Sequence, residues 1–153
     1  MPRKGQRGAF GAVRARVRKE VLRNPGVGVS EIARRLGFDQ STINYHAHIL
    51  AAEGAVQIVK DGRTLRLFKP GRRSRRELAP LLVARHPALR KIVQAILRHP
   101  GINGETLAQR LKLAKSTVSY HVKKLRSQGV VTRRNGPDGQ QLFVSPRFRR
   151  AFR

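Results

Sequence analysis

Two short segments of the chain carry the same run of hydrogen-bonding side chains. Ser41-Thr42-Ile43-Asn44-Tyr45-His46 returns as Ser116-Thr117-Val118-Ser119-Tyr120-His121. Hydroxyl, amide, phenol and imidazole groups donate and accept hydrogen bonds, and neither segment contains a carboxylate or a thiol. The chemistry that this pattern favours is recognition by hydrogen bonding, because the chain shows no Ser/His/Asp constellation beyond chance and has too few carboxylates for acid-base pairs.

The repeat extends over stretches of whole-domain length. Position 41 corresponds to position 116, and the same offset of 75 residues aligns Pro25-Gly26 with Pro100-Gly101 and Leu67-Phe68 with Leu142-Phe143 without a gap. A repeat of this length indicates a duplicated domain. For a chain of 153 residues, the repeat predicts two small domains of roughly 60 to 70 residues each.

Each copy has the pattern of three helices followed by a hairpin. In the first copy, apolar residues at helical spacing predict a helix over 12–23, which Asn24-Pro25-Gly26 ends. Ser30 is the predicted N-cap of a second helix that ends at Gly37. A third helix over 41–53 is followed by strands that the hairpin-favouring Asp61-Gly62 pair joins. The remaining predicted elements are strands 56–60 and 64–68, helices 88–98, 105–111 and 115–128, strands 130–133 and 140–144, and a turn over 135–139.

These elements predict a mainly α fold with small β-hairpins (α+β). Three helices and a two-stranded wing form the winged helix-turn-helix plan, so we expect two tandem winged helix-turn-helix domains joined by a basic linker and a short helix. Like-charge repulsion should keep the linker extended, and the tail is expected to be disordered or to lie on nucleic acid. The predicted divisions are a basic N-terminal arm (1–11), winged helix domain 1 (12–70), the basic linker and short helix (71–85), winged helix domain 2 (86–146) and a basic C-terminal tail (147–153).

The composition indicates a polyanionic partner. Lys and Arg number 34 against 8 Asp and Glu, and the formal net charge of +26 is far more than solubility requires. Without an apolar run of spanning length or an amphipathic basic helix, nucleic acid is favoured over a membrane. Because the chain has no cysteine, we expect no disulfide, thiolate metal site or redox switch. No cofactor is predicted. The N-terminus lacks the apolar segment of a secretory signal, so we expect a cytoplasmic protein at the nucleoid.

The third helix of each copy is the predicted reading element. Ile43, Ala47 and Leu50 fall at core spacing, so the opposite face presents polar groups near the helix N-terminus, where backbone amides favour phosphate. Asn44 can pair with an adenine edge, whereas Ser119 at the equivalent position has no such preference, so the two domains should differ in sequence preference. The predicted contacts are Gln40, Ser41, Thr42, Asn44, Tyr45 and His48 in the first copy and Lys115, Ser116, Thr117, Ser119, Tyr120 and Lys123 in the second.

Several of these residues also have a plain structural explanation. Asn44 and Ser119 could be ordinary solvent-exposed polar residues of a helix. Ser41 and Ser116 could cap the helix. Tyr45 and Tyr120 could lie at the edge of the core. His46 and His121 lie between core positions, so we expect packed, hydrogen-bonded histidines. A zinc site would need four convergent ligands, and no metal site is predicted.

Arginine and lysine side chains in the hairpins and outside the domains are predicted backbone contacts. Hairpin cations can reach phosphates or a narrow minor groove, although charged hairpins also protect exposed sheet edges. The hairpin residues are Arg63, Arg66, Arg133 and Arg134. The arms and linker should add affinity with little sequence information. Their residues are Arg3, Lys4, Arg7, Arg72, Arg73, Arg75, Arg76, Arg147, Arg149, Arg150 and Arg153.

The segments 40–46 and 116–125 resemble winged-helix transcription factors of the arsenic-repressor and multiple-antibiotic-resistance-repressor superfamily, and most of all archaeal proteins with two such modules in tandem. The resemblance covers about residues 12–70 and 86–146. It implies that residues 40–48 and 115–123 read the groove and that the wing contacts the backbone. Metal sensing by the arsenic-type members is not implied, because this chain has no cysteine ligands.

The function predicted from these features is binding of double-stranded DNA. The protein would act as a transcriptional regulator or as a low-specificity nucleoid-associated chromatin protein, and the charge of +26 argues against a purely site-specific role. A structured-RNA or ribosome-associated protein is the alternative, and no catalytic constellation suggests an enzyme. Two modules can imitate a dimer within one chain, but an exposed Leu81-Leu82-Val83 stretch could still make a homodimer interface.

Overall fold

In a computed structural model, the chain is described over residues 4–153, with side chains from residue 8 onward. It divides into two compact units between Arg73 and Ser74, called unit 1 and unit 2 below. Both units mix helices with a small antiparallel sheet, as the sequence predicts. No helix in residues 4–153 has the length and apolar character needed to cross a bilayer.

Unit 1 places three helices against a three-stranded sheet. Its elements are α1 (Lys4–Arg23), β1 (Val27–Gly28), α2 (Val29–Leu36), α3 (Gln40–Ala52), β2 (Gln57–Asp61) and β3 (Thr64–Phe68). The antiparallel strands lie in the order β1-β3-β2. The core contains Val17 and Ile32, and the predicted inward positions Ile43, Ala47 and Leu50 are confirmed, each at most 4% exposed.

Unit 2 has the same order of elements, preceded by a short helix and followed by another. Its elements are α4 (Arg75–Ala84), α5 (Pro87–Arg98), β4 (Ile102–Asn103), α6 (Gly104–Leu111), α7 (Lys115–Ser127), β5 (Val131–Gly136), β6 (Gly139–Val144) and a C-terminal 3₁₀ helix (Pro146–Phe152). The strands lie in the order β4-β6-β5. Val118, Val122 and Leu125 face the core, as predicted.

The first helix is longer than the sequence predicts. It begins at Lys4, so residues 4–11 are helical instead of forming an arm. Arg3 and the side chains of Lys4 and Arg7 lie outside the described residues. Glycines at positions 5, 8 and 11 lower helix propensity, but tertiary packing supports the helix, since the Phe10 and His46 ring centroids lie 5.7 Å apart.

Helix α2 ends as predicted but begins differently. Gly37 adopts the left-handed conformation (φ +72°) and donates its N–H to the Ala33 carbonyl. The N-cap is Gly28, one residue before the helix, so the prediction that Ser30 caps it was wrong. Gly28 pairs with Arg66 in the sheet, and the chain therefore passes from strand to helix without room for a separate capping residue. In unit 2 the equivalent Asn103 does cap, by accepting from the Thr106 N–H.

Both hairpin turns are tighter than predicted. Asp61 pairs with Thr64, so the first loop is Gly62-Arg63, with Gly62 at φ +62° as a type II′ turn requires at its first central position. Asp61 belongs to the strand, where its carboxylate pairs with the Arg66 guanidinium. In the second hairpin, strand pairing continues to Gly136 and Gly139, which reduces the predicted five-residue turn to positions 137 and 138.

Part of the predicted extended linker is helical. The Ser74 hydroxyl accepts from the Glu77 N–H at 3.3 Å, and the Glu77 carboxylate accepts from the Ser74 N–H at 2.7 Å. This reciprocal capping box starts α4 at Arg75, so Arg75 and Arg76 lie in the first helical turn. The sequence Ser-Arg-Arg-Glu is a capping-box pattern, but the dense positive charge led to the prediction of an extended linker.

Two more expectations for the segments outside the repeats, an exposed Leu82-Val83 and a disordered tail, were wrong, whereas contact of the tail with nucleic acid stays a prediction. Leu82 and Val83, expected to be exposed, are at most 1% exposed, because this face of α4 is apolar and Val83 joins the unit 2 core. The tail is ordered in the 3₁₀ helix because Phe148, only 5% exposed, packs into the same core. Arg149 Nε also donates to the Val144 carbonyl at 3.3 Å, which fastens the tail to β6.

Candidate nucleic-acid interface

In unit 1, the start of the third helix and the tip of the hairpin border one polar groove. Gln40, Ser41 and Asn44 of α3 line it together with Arg63 from the hairpin loop. Ser30 from the first turn of α2 completes the rim. Hydroxyl, amide and guanidinium groups from three elements therefore converge on a single surface, which suits hydrogen bonding to phosphates and base edges.

The other predicted contacts on α3 lie outside the groove lining. Tyr45 is 61% exposed, and its ring stands edge-on to His46 with centroids 5.2 Å apart. His48 is exposed as well, whereas Thr42 is half-buried. Tyr45 is therefore a surface residue of the helix and does not belong to the core edge, which was the open alternative.

Arg66 is buried in the hairpin and is not one of its exposed cations. Its Nε lies 2.9 Å from Asp61 Oδ2, and its Nη1 donates to the Gly26 carbonyl at 3.1 Å. The residue is only 9% exposed. Its charge is thus committed inside the hairpin, because a buried cation is stable only with such partners. Arg63, three residues earlier, keeps an exposed position.

Unit 2 has a groove in the equivalent place, with more charge. Lys115, Ser119 and Lys123 of α7 line it with Arg133 of the hairpin. Arg126 lines it too and was missed by the sequence reasoning. Its position, seven residues after Ser119 and three after Lys123, continues the same helical stripe, so the periodicity could have identified it.

One acidic residue lines the unit 2 groove and was also missed. Glu105 Oε1 lies 2.6 Å from Lys115 Nζ, with both side chains exposed. The hydrogen bond from Lys115, and secondarily its charge, lowers the pKa of the Glu105 carboxyl. The equivalent residue in unit 1 is Ser30, so the two grooves differ in a carboxylate at the same point of the rim.

The two arginines predicted to act together in the second hairpin lie on opposite faces. Arg133 faces α7, whereas the Arg134 guanidinium sits 5.3 Å from the centroid of the Phe143 ring. Successive side chains of a strand point to opposite sides of the sheet, which explains why the two arginines face different ways.

Ser116 and Tyr120, two of the predicted contacts of the second copy, are exposed on α7, and Thr117 is half-buried.

The basic residues of the linker and tail have definite places. Arg73 is half-buried, and its main chain bonds to both ends of the Gln57 side-chain amide, at 2.7 and 3.3 Å. The other predicted contacts in these segments are exposed, namely Arg72, Arg75, Arg76, Arg147, Arg149, Arg150 and Arg153.

The two histidines that follow the tyrosines are packed, as predicted, but three of their four ring nitrogens lack the expected hydrogen bond among the described residues. Neither ring nitrogen of His46, nor Nδ1 of His121, has a hydrogen-bond partner among the described residues. Burial lowers the pKa of both imidazoles, with smaller contributions from Arg14 at His46 and from Lys124 and His86 at His121. Within the described part of the chain, no three His, Asp or Glu side chains gather as metal ligands.

Comparisons with known proteins connect this geometry to a family. Residues 85–132 match the model of the winged helix-turn-helix DNA-binding family. The chain is also 31% identical, over 111 residues, to the uncharacterized HTH-type transcriptional regulator MJ1398 of Methanocaldococcus jannaschii, a match covering 72% of this chain and 28% of that protein. The chain thus spans well under half of that relative's length.

The solved structure of human N-acetylserotonin methyltransferase in complex with SAM was also compared with this protein. The alignment covers 79% of this chain and 38% of the methyltransferase chain. The identity is 12% and the TM-score 0.35, an overlap too low to establish a shared fold. The family match, in contrast, spans α5, β4, α6 and α7. Unit 2 therefore contains a winged helix-turn-helix DNA-binding domain.

Proposed function

We propose that the chain binds double-stranded DNA through both units, with α3 and α7 in major grooves and the hairpins on the backbone or in the minor groove. The observation that carries this proposal is the convergence of helix and hairpin, in which Asn44 and Arg63 border one groove and Ser119 and Arg133 the other. A helix about 10 to 12 Å in diameter fits a major groove about 12 Å wide.

The second module of this proposal is unit 1, which lies outside the family match. Its support is the common order of elements, a helix, a short strand, two helices and a hairpin, in both units. The common sheet order adds to it, since β1-β3-β2 corresponds to β4-β6-β5. A single chain would then hold two DNA-reading helices, in the manner of a dimer, and need no second copy.

In the cell, this protein would be a transcriptional regulator or a nucleoid-associated chromatin protein of low specificity, without enzymatic activity. The net charge of +26 supports a large sequence-independent contribution to affinity, because each neutralised phosphate releases counterions. Footprinting across a genome separates the two roles. A few sharp sites would identify a regulator, and blanket coverage a chromatin protein.

Fluorescence anisotropy with a duplex of about 30 base pairs tests the DNA contact itself. Two triple variants remove the groove residues, Gln40→Ala/Asn44→Ala/Arg63→Ala in unit 1 and Ser119→Ala/Lys123→Ala/Arg133→Ala in unit 2. We expect each to weaken binding at least about tenfold, since single bidentate base contacts are worth roughly 1 to 3 kcal/mol. The control Lys19→Ala/Lys91→Ala removes exposed cations outside both grooves. Equal effects of all three variants would overturn the proposal, and equal competition by duplex RNA would favour the RNA-binding alternative.

A cut between Gly71 and Arg72, through an inserted protease site, tests the tandem arrangement. Joining two weak binding modules makes the second contact intramolecular, so cleavage should lower affinity by about two orders of magnitude. The same insertion left uncut is the control. If cleaved and uncut proteins bind DNA equally well, the two units do not act together.

A further inference from the structure

A second cationic cleft lies in unit 2, apart from the α7 groove. Arg98 at the end of α5, Arg134 of β5, and Arg149 and Arg153 of the C-terminal segment all line it. Among the residues that the structure describes, no acidic side chain lines it, in contrast to the α7 groove with its Glu105. We call this surface the arginine cleft.

The arginine cleft opens on the far side of the hairpin from α7. Arg133 lines the α7 groove, and the next residue, Arg134, lines the arginine cleft. On β6, Leu142 lines the α7 groove and Phe143 the arginine cleft, in the same alternation. A duplex seated against α7 therefore lies on one face of the hairpin, and the four arginines are presented on the other.

The two aromatic rings of the cleft are already engaged, Phe143 by an arginine and Phe152 by the unit 2 core. The Arg134 guanidinium covers one region of the Phe143 ring at 5.3 Å. The backbone of Gly101 approaches the same ring so closely that a Cβ there would lie 3.4 Å from Phe143 Cζ. Phe152, the other ring, packs against the unit 2 core. The ligand that suits this surface is therefore a phosphate and not a stacked base.

The arginine side chains are partly fixed in place. Arg149 uses one of its five N–H donors, at Nε, to bond the Val144 carbonyl at 3.3 Å. Arg134 is held by its stacking on Phe143. Fixed guanidinium groups lose less entropy on binding phosphate than free ones do.

Most arginines of the cleft have no basic counterpart in unit 1. At the offset of 75 residues, Arg134 corresponds to Val59, and only Arg98 has a basic counterpart, Arg23. Unit 2 therefore carries cations here that the common architecture does not require. A surface needed only for folding would not call for several like charges side by side, because they repel one another.

We propose that the arginine cleft binds the phosphate backbone of a second DNA duplex, so that one chain bridges two duplexes. This inference rests on the proposed function, because the first duplex occupies the α7 groove. We select this ligand because the positive charge of the arginine cleft complements a polyanion and because the cleft faces away from α7.

A bridging assay with the full chain tests the proposal. A 30-base-pair duplex is fixed to beads, protein is added, and capture of a second, fluorescent duplex is measured beside single-duplex anisotropy. Arg98→Ala/Arg134→Ala should lower capture at least about tenfold and weaken the salt slope of capture by about 1.8, for two phosphates at roughly 0.9 each. The control Arg90→Ala/Lys91→Ala removes the same charge from exposed positions of α5. Arg98→Lys/Arg134→Lys keeps both charges but not the fixed guanidinium groups, so it should retain the wild-type salt slope and lose less capture than the alanine variant.

Each of the other possible outcomes of this assay would contradict the inference. Capture unchanged in the cleft variant would mean that the two units bridge by holding one duplex each, and would overturn the inference. An equal loss of capture and of single-duplex binding would also overturn it, because the cleft would then belong to the first site. Wild-type protein that binds one duplex but captures no second would overturn the inference and leave the proposed function standing. No binding of a single duplex would overturn both. A loss of capture in the lysine variant as large as in the alanine variant, with the thermal midpoint unchanged, would overturn the inference, because charge neutralisation would not be the cause.

Discussion

Asp61 Oδ2 and Arg66 Nε lie 2.9 Å apart inside the unit 1 hairpin, where the Asp61 side chain is fully buried and that of Arg66 is 11% exposed. In unit 2 the equivalent residues are Gly136 and Gln141, and the Gln141 side chain occupies the space where a Cβ of residue 136 would lie. The two hairpins thus fill the same position in different ways, with an ion pair in one and a glycine under an amide in the other.

Removing one partner of this ion pair should destabilise unit 1. Asp61→Ala leaves the Arg66 guanidinium buried without its carboxylate, which typically costs about 3 to 5 kcal/mol. Urea unfolding followed by circular dichroism gives the measurement. The double variant Asp61→Gly/Arg66→Gln installs the unit 2 pair and should recover most of the loss. A double variant as unstable as the single one would show that the two pairs are not interchangeable.

The same ion pair divides two neighbouring arginines into different roles. Arg63→Ala should weaken duplex binding and reduce the slope of log affinity against log salt by about 0.9, because one phosphate contact is lost. Arg66→Lys, which keeps the buried charge, should leave the slope unchanged if the protein remains folded. Anisotropy titrations between about 50 and 200 mM salt measure both variants. A reduced slope for Arg66→Lys would mean that Arg66 reaches DNA after all.

Burial of His46 should make the stability of unit 1 depend on pH. Burial lowers the pKa of the imidazole, so below the unfolded value, near 6.5, the unfolded chain binds a proton that the folded chain does not. Stability is therefore full above about pH 6.5 and falls as the pH drops toward the folded pKa, by at most about 1.4 kcal/mol per pH unit. Urea midpoints between pH 5 and 8 measure it.

His46→Phe should flatten this pH profile, since phenylalanine keeps an aromatic ring beside Phe10 and does not titrate. Leu50→Ala is the control, because it also weakens the unit 1 core and leaves the histidine in place. If His46→Phe retains the wild-type decline, the histidine is not its source in unit 1.

Much of the site-forming framework was predictable from the sequence because periodicity reports burial directly. Ile43 and Leu50 recur at the spacing of one helix face, and both are buried. The left-handed Gly37 likewise followed from its place after an apolar helical run. Features of this kind depend on residues near in sequence, and a single chain displays them.

The parts that were not predictable depend on pairs of residues distant in sequence or ambiguous in type. Arg66 has the appearance of an exposed cation until its cross-strand neighbour Asp61 is known to be buried. The start of α1 has three glycines and is supported by a ring contact between Phe10 and His46. Strand alternation separates Arg133 from Arg134, but the predicted strand ended at residue 133, whereas the pairing continues to Gly136.

The Glu105–Lys115 pair should limit how strongly unit 2 binds DNA. Because the pKa of Glu105 is lowered by Lys115, the carboxylate stays ionised and competes with phosphate for the ammonium group, 2.6 Å away. Glu105→Gln should therefore raise duplex affinity by about two- to fivefold and steepen the salt slope by up to about 0.9, as Lys115 becomes available to one more phosphate. Glu53→Gln is the control, since Glu53 pairs with Arg14 at 3.1 Å and does not line either groove, yet its loss changes the net charge equally. Equal gains in the two variants would reflect net charge alone and would remove Lys115 from the DNA contacts.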